Sequence, residues 1–376
     1  MSFLYENLLL LTWQQVTMWV IGGILIYLAI AKEMEPSLLL PIGFGAILVN
    51  MPFSGAVNQY VNGILQEGPL TSLYTAGIAN ELFPLLLFIG IGAMCDFGPL
   101  LTNPTLMIFG AAAQFGIFFT FCIASMFFPI NDAASIATIG AADGPTAIVV
   151  AQVLHSSYLG PIMVAAYSYM ALVPIIQPPV IRLLTTKKER MIRMDYEPKT
   201  VSRLTRIIFP IIITIIAGLI SPASVSLVGF LMFGNLLKEC GVLNSLSDAA
   251  QSALANVITL ILGITIASQM QAEQFLQMDT LMILGLGLFA FIFDTAGGVL
   301  FAKFLNLFLK KKVNPMIGAA GISAFPMSGR IIHKMGLEED NQNFLLMHSM
   351  GVNVSGQIAS VIAGGLMMSF FMYGGF

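Results

Sequence analysis

Charge is what this chain has least of. Of its 376 residues only 9% are Asp, Glu, Lys or Arg, and histidine, cysteine and tryptophan number three, three and two. So few charges exclude an ordinary soluble domain, in which about a quarter of residues are charged. Cys95, Cys122 and Cys240 show no C-x-x-C spacing, which argues against a disulfide framework and a cysteine metal cluster. His155, His333 and His348 are scattered, and His348 reads as a helix-end residue. No H-E-x-x-H, Walker loop, G-x-G-x-x-G, G-x-S-x-G or nucleic-acid-binding signature occurs, so neither a soluble catalytic domain nor a nucleic-acid partner is expected. The first residues lack the basic region and small-residue cleavage site of a signal peptide, so the first apolar run is expected to be retained.

What is abundant is apolar sequence: 57% of the residues are hydrophobic, and the mean hydropathy is +0.88. The fold class expected is an all-α polytopic membrane protein. Several apolar runs approach the roughly 20 residues that span a bilayer as helix. Counting them predicts about eleven membrane segments. The shorter runs and the Gly/Pro-rich stretch 314–335 read as broken or re-entrant pieces.

The few charges are unevenly placed. Eight of the 16 basic residues fall between Arg182 and Arg206, in the one long polar stretch, which also holds Glu189, Asp195, Glu197 and Pro198. The positive-inside rule puts this stretch in the cytoplasm, with Lys238 and Lys310–Lys312 on the same side. Three parts follow: a first membrane repeat with its N-terminal segment at 1–182, a basic cytoplasmic loop at 183–206, and a second membrane repeat at 207–376.

Gly140-Ala-Ala-Asp143-Gly-Pro-Thr146-Ala-Ile148 is the most informative stretch. A carboxylate at membrane depth is costly without a partner and marks a functional site by default. Gly144-Pro145 interrupts the helical ladder, and non-helical backbone survives there only where it is buried in protein or lines a cavity. Together these features describe an ion site at Asp143.

The halves resemble each other. Ile139-Gly-Ala-Ala142 recurs as Ile317-Gly-Ala-Ala320, and Ala79-Asn80 recurs as Ala255-Asn256. About five crossings per half, an odd number, would make the repeats inverted, an arrangement that places a site between interrupted helices near the midplane. The second copy contributes Asn314, Gly318, Ser323 and, further on, Arg330. Asn, Ser and carboxylate oxygens suit a hard cation. The arginine fork suits a carboxylate-bearing substrate.

With these motifs assembled, GAADGPTAI at 140–148, NPMIGAAGIS at 314–323 with Arg330 behind it, GNLLKECGV at 234–242 and HSMGVNVSG at 348–356 resemble the β subunit of the sodium-translocating biotin-dependent decarboxylases. That family acts on oxaloacetate, methylmalonyl-CoA, glutaconyl-CoA or malonate. The resemblance implies decarboxylation of carboxybiotin on a separate carrier, coupled to sodium export with a proton consumed. It implies that Asp143 handles sodium and proton, and that Asn314, Gly318, Ser323 and Arg330 form a second functional cluster. Tyr169 would serve the proton step, and Asn353 would be a further sodium ligand. On this reading Asp143, Asn314, Ser323 and Asn353 hold sodium. Asp143, Tyr169 and Arg330 are catalytic, and Arg330 with Gly318 meets carboxybiotin. Asn80 and Asn256 are additions from the repeat alone.

The implied partners are a biotin carrier protein, a carboxyltransferase α subunit and a small single-span membrane subunit, in the bacterial inner membrane; a homo-oligomer of the membrane part is also compatible. The short chain favours the acyl-CoA decarboxylase type. A sodium-coupled organic-anion transporter would use the same repeats without biotin, and a structural membrane subunit would only anchor a soluble decarboxylase.

Overall fold

The computed structural model describes residues 10–61, 63–196 and 200–373. The N-terminal residues read for a signal peptide, and Glu197 and Pro198 of the polar stretch, lie outside the described residues. Among those described, the chain is helical apart from one antiparallel pair, Gln59–Val61 with Ile64–Gln66. Among the described residues seven helices are long and apolar enough to cross a membrane, and the pair Pro69–Ile78 and Leu82–Met94, bent by 63°, makes an eighth when taken as one span. Membrane-length helices therefore do not reach the expected eleven. The difference lies in short helices, such as the 14-residue Pro36–Val49 and the 15-residue Val225–Glu239, and in two stretches that fold back on themselves.

The first fold-back is the apolar run 133–155. Ile130–Ala137 leads through the 3-10 turn Thr138–Ala141 to Asp143, and Gly144–Val153 leads away. The ends of these arms are tied together. Ser156 Oγ and the Ser157 amide donate to Asp132 at 2.7 and 2.9 Å, and Asn131 Nδ2 donates to the Leu154 carbonyl at 3.3 Å. Pro145 starts the second arm, where its missing N–H costs nothing. Ala142 turns the chain at φ 52° and ψ 43°, a left-handed conformation that a residue with a Cβ adopts at a cost of roughly 1–2 kcal/mol.

The second fold-back runs from the 3-10 turn Pro315–Gly321 through 322–326 into Met327–Glu339. Its ends also meet: Asn314 Nδ2 and Asn343 Nδ2 each donate to the Arg190 carbonyl at 2.8 Å. The basic loop clamps this hairpin at its base through Arg182–Glu338, Arg190–Glu339 and Arg193–Asp340, at 3.1, 2.6 and 2.6 Å. Lys311–Asp195 at 2.7 Å and Arg206–Glu239 at 3.7 Å put the lysine run and the end of Val225–Glu239 on the same face as the loop. Lys238 donates to the Cys95 carbonyl there at 3.0 Å.

Each half follows the same order. A π-helical turn, Tyr74–Ile78 or Ala250–Leu254, precedes a long apolar helix, then a further long helix, a hairpin and a final long helix, Leu159–Leu184 or Leu346–Tyr373. The second 3-10 turn lies against Met278–Leu305 through a glycine pair. A Cβ on Gly318 would fall 2.0 Å from the Gly298 carbonyl oxygen, and one on Gly298 would fall 2.1 Å from that of Gly318. No other residue type allows so close an approach.

Candidate functional site

The two hairpin tips touch. Ser323 donates twice to the Ala141 carbonyl, from its amide at 3.0 Å and from its hydroxyl at 2.9 Å. Breaking both helices frees carbonyls that water cannot reach, and unpaired groups in such surroundings cost several kcal/mol each. Buried side chains take them up one by one. Ala319 accepts from Gln177 at 2.8 Å and Ser328 at 3.2 Å; Ala320 and Ile322 accept from Asn353 at 3.1 and 2.7 Å; Gly321 accepts from Gln114 at 3.3 Å. Gln357 donates to Ser323.

Asp143 lies at this seam and is 2% exposed. Its Oδ2 accepts from Thr146 Oγ1 at 2.6 Å and from Ser360 Oγ at 3.3 Å. Asn353, Gln357 and Ser360 lie at i, i+4 and i+7 of Leu346–Tyr373, one face of that helix. That face reaches the second tip through its first two members and Asp143 through its third. Among the described residues Asn353 Oδ1 and Gln357 Oε1 are buried without a hydrogen-bond partner, leaving two oxygens that a ligand could meet.

A cavity of about 340 Å³ opens beside the seam, lined by Asp143, Ser323, Gln357, Asn256, Glu35 and Arg330 among others. Arg330 is exposed, on the first turn of Met327–Glu339, and among the described residues its guanidinium has no ion pair or side-chain hydrogen bond. Glu35 lies between Trp13–Ala31 and Pro36–Val49. Burial pushes its carboxyl above the ordinary range, and Arg330 pulls it part of the way back. An exposed guanidinium at the wall suits an incoming carboxylate, and the inner end carries the oxygens that suit a cation.

Not every residue singled out in the sequence meets here. Asp143, Ser323, Arg330 and Asn256 share the cavity, and Asn353 braces the second tip behind it. Asn314 stands at the far end of the seven-residue turn, about 14 Å away at some 2 Å per residue. Its amide binds the Arg190 and Ile192 carbonyls, and its oxygen caps the Met316 amide. Gly318 is packed against Gly298 and is not among the cavity's lining residues. Tyr169 donates to the Leu284 carbonyl at 2.5 Å, within an apolar cluster. Tyr167 lies nearer: its ring covers Gly144, and its buried hydroxyl has no partner. Asn80 is exposed at the bend of its helix pair, bonded to the Ala76 carbonyl at 2.6 Å.

Sequence reasoning missed Thr146, Gln357 and Ser360. Thr146 was visible as the residue three beyond Asp143, and the other two as polar interruptions at helical spacing in an apolar run.

Fold and cavity together define a polytopic helical membrane protein whose polar centre lies between two folded-back hairpins. The family model for the Na+-transporting oxaloacetate decarboxylase beta subunit matches residues 14–371. The methylmalonyl-CoA decarboxylase subunit beta of Propionigenium modestum is 48% identical over 374 residues, covering 95% of this chain and 94% of that one. The glutaconyl-CoA decarboxylase subunit beta of Acidaminococcus fermentans is 47% identical over 365 residues, covering 97% and 94%. The oxaloacetate decarboxylase beta chain of Klebsiella pneumoniae is 44% identical over 413 residues, covering 95% of each. This chain belongs to that family of decarboxylase beta subunits.

Proposed function

We propose that the protein is the membrane subunit that decarboxylates carboxybiotin, presented by a biotin carrier protein, and exports sodium as it does so, consuming a proton. The observation that carries this reading is the shared cavity, in which an exposed arginine and a buried aspartate, one from each hairpin, line one small volume. Membership of a decarboxylase family favours this over an organic-anion carrier or a mere anchor.

In this reading Arg330 grips the substrate carboxylate through its fork. The carbon–nitrogen bond breaks, CO2 leaves, and the ureido nitrogen takes up a proton. Asp143 holds sodium, with Thr146 and Ser360 orienting its carboxylate and the free oxygens of Asn353 and Gln357 completing the set. Sodium and a proton compete for that one group, which couples the two steps. Tyr167 joins Tyr169 as a candidate for relaying the proton. Asn314 and Gly318 shape the turn that presents Ser323. Movement of one inverted repeat against the other changes the side to which Asp143 opens.

The carrier approaches from the face of the basic loop, which is cytoplasmic, with the protein in the bacterial inner membrane. A carboxyltransferase α subunit and a small single-span subunit complete the complex. The matches of 47–48% to acyl-CoA members, against 44% to an oxaloacetate member, favour an acyl-CoA substrate for it. The test is the complex reconstituted in proteoliposomes, with sodium uptake and CO2 release followed together. Joint loss of both in Asp143→Asn supports the reading, and near-normal coupled activity overturns it.

A further inference from the structure

Where Met278–Leu305 reaches the face of the basic loop, three lysines gather over apolar surface. Lys188, Lys303 and Lys312 line a pocket of about 610 Å³ with Phe304 and Leu307, and Glu189 is the acid in its wall. Both oxygens of that acid are already engaged. Oε1 pairs with Lys303 Nζ at 3.1 Å, and Oε2 accepts from the Thr186 amide and hydroxyl at 2.7 and 2.9 Å. Lys303 also donates to the Leu184 carbonyl at 3.0 Å. Lys188 and Lys312 are exposed and make no ion pair among the described residues, so the pocket carries an excess of positive charge.

Beyond Phe304 the surface changes character. The same ring lines a second groove, of about 630 Å³, between Met278–Leu305 and Leu106–Ala124. Leu300, Gly297, Ile108 and Phe115 lie along it, and its lining residues are apolar throughout. From Phe304 back to Gly297 is about 10 Å of helix. Ile108, Phe115, Leu300 and Phe304 are each about half exposed, on helices long enough to cross a membrane, so this groove faces acyl chains. Leu307 and Phe308, 77% and 73% exposed, continue the apolar surface up to the lysine run. A basic mouth that leads into an apolar groove matches an amphiphile with an anionic head and a hydrocarbon tail.

We propose that this is a seat for one anionic phospholipid, with its phosphate on Lys188 and Lys312 and an acyl chain laid from Phe304 towards Gly297. Basic pockets at the ends of membrane helices hold such headgroups, and each basic residue adds to the attraction. A free phosphate ion would have nothing to place beyond Phe304. The seat also bears on the second hairpin. Lys188 belongs to the short helix Lys187–Arg190, whose Arg190 pairs with Glu339 and accepts Asn314 and Asn343 on its carbonyl. A bound headgroup therefore steadies the base of that hairpin.

The test is the Tm of the purified complex in neutral detergent as phosphatidylglycerol, or phosphatidylcholine with the same chains, is added. Phosphatidylglycerol should act at the lower concentration, and salt should narrow the gap. In Lys188→Gln/Lys312→Gln its half-saturating concentration should rise roughly thirtyfold. Ala111→Phe, at an exposed position of the groove wall, should raise the value several-fold for both lipids. An unchanged phosphatidylglycerol response in either variant overturns the seat. Inorganic phosphate that raises Tm equally well, with the same dependence on the lysines, overturns it in favour of a free-anion site. A lysine variant that weakens carrier-protein binding and keeps the lipid response gives the lysines to the carrier and overturns it too. So does a changed oligomeric state in Ala111→Phe with the lipid response intact, which marks a face between copies. Should the lysine variant not assemble, the Ala111→Phe result decides.

Discussion

The two hairpin tips share a backbone motif and divide the chemistry unequally. The first, around Ala142 and Asp143, bends through a left-handed alanine and carries an acid held by two hydroxyls. The second, 319–323, carries no charge, and each of its carbonyls is taken up by a side chain from elsewhere. Duplication of a fold therefore need not duplicate a site. On the proposed reading one tip binds, and the other is a braced surface for it to bind against, with Arg330 set back by a helical turn.

The hardest blow to that contrast is Asp143→Asn, which makes the two tips electrically alike. Decarboxylation and sodium uptake should both drop by about a thousandfold, the scale on which a preorganised electrostatic group acts; retention of either one alone would separate the roles. Arg330→Lys tests whether the fork matters beyond the charge. Carboxybiotin turnover should fall by roughly 10–100-fold, the loss of one charge-assisted bond, with sodium-dependent stabilisation intact. Ser360→Ala removes one of the hydroxyls holding the acid and should raise the half-saturating sodium concentration about tenfold. The mildest probe is Asn314→Ala. As a cap at the start of the second turn it should cost about 1–2 kcal/mol of stability, seen as a lower Tm, while sodium half-saturation stays as in the wild type. A large sodium effect there would bring Asn314 back to the ion.

That Asp143, Ser323 and Arg330 would share one cavity was legible in the sequence because each has Gly or Pro within three positions. Run counting was less informative. The run 133–155 has the length and hydropathy of a crossing, and the left-handed turn at Ala142 with the ties from Asn131 and Asp132 to Leu154, Ser156 and Ser157 reveals that it turns back. Asn314 looked like an ion ligand because its residue type is right. Its role depends on which end of a seven-residue turn faces the acid, which spacing does not encode. Asp294 lies within an unbroken helix, and nothing nearby in sequence marks the helix start it meets across the fold.

The acid and its holders are far apart in order of synthesis. Ser360 stands 217 positions after Asp143, and Gln357 and Asn353 share its helix. The first hairpin therefore leaves the ribosome long before the groups that seat its carboxylate exist, and for that interval Asp143 has Thr146 as its neighbour and little else. With N-terminal parts folding first during synthesis, the proposed ion site is among the last features to mature. On that reading a half-made chain in the membrane holds no complete ion centre until its final helix arrives.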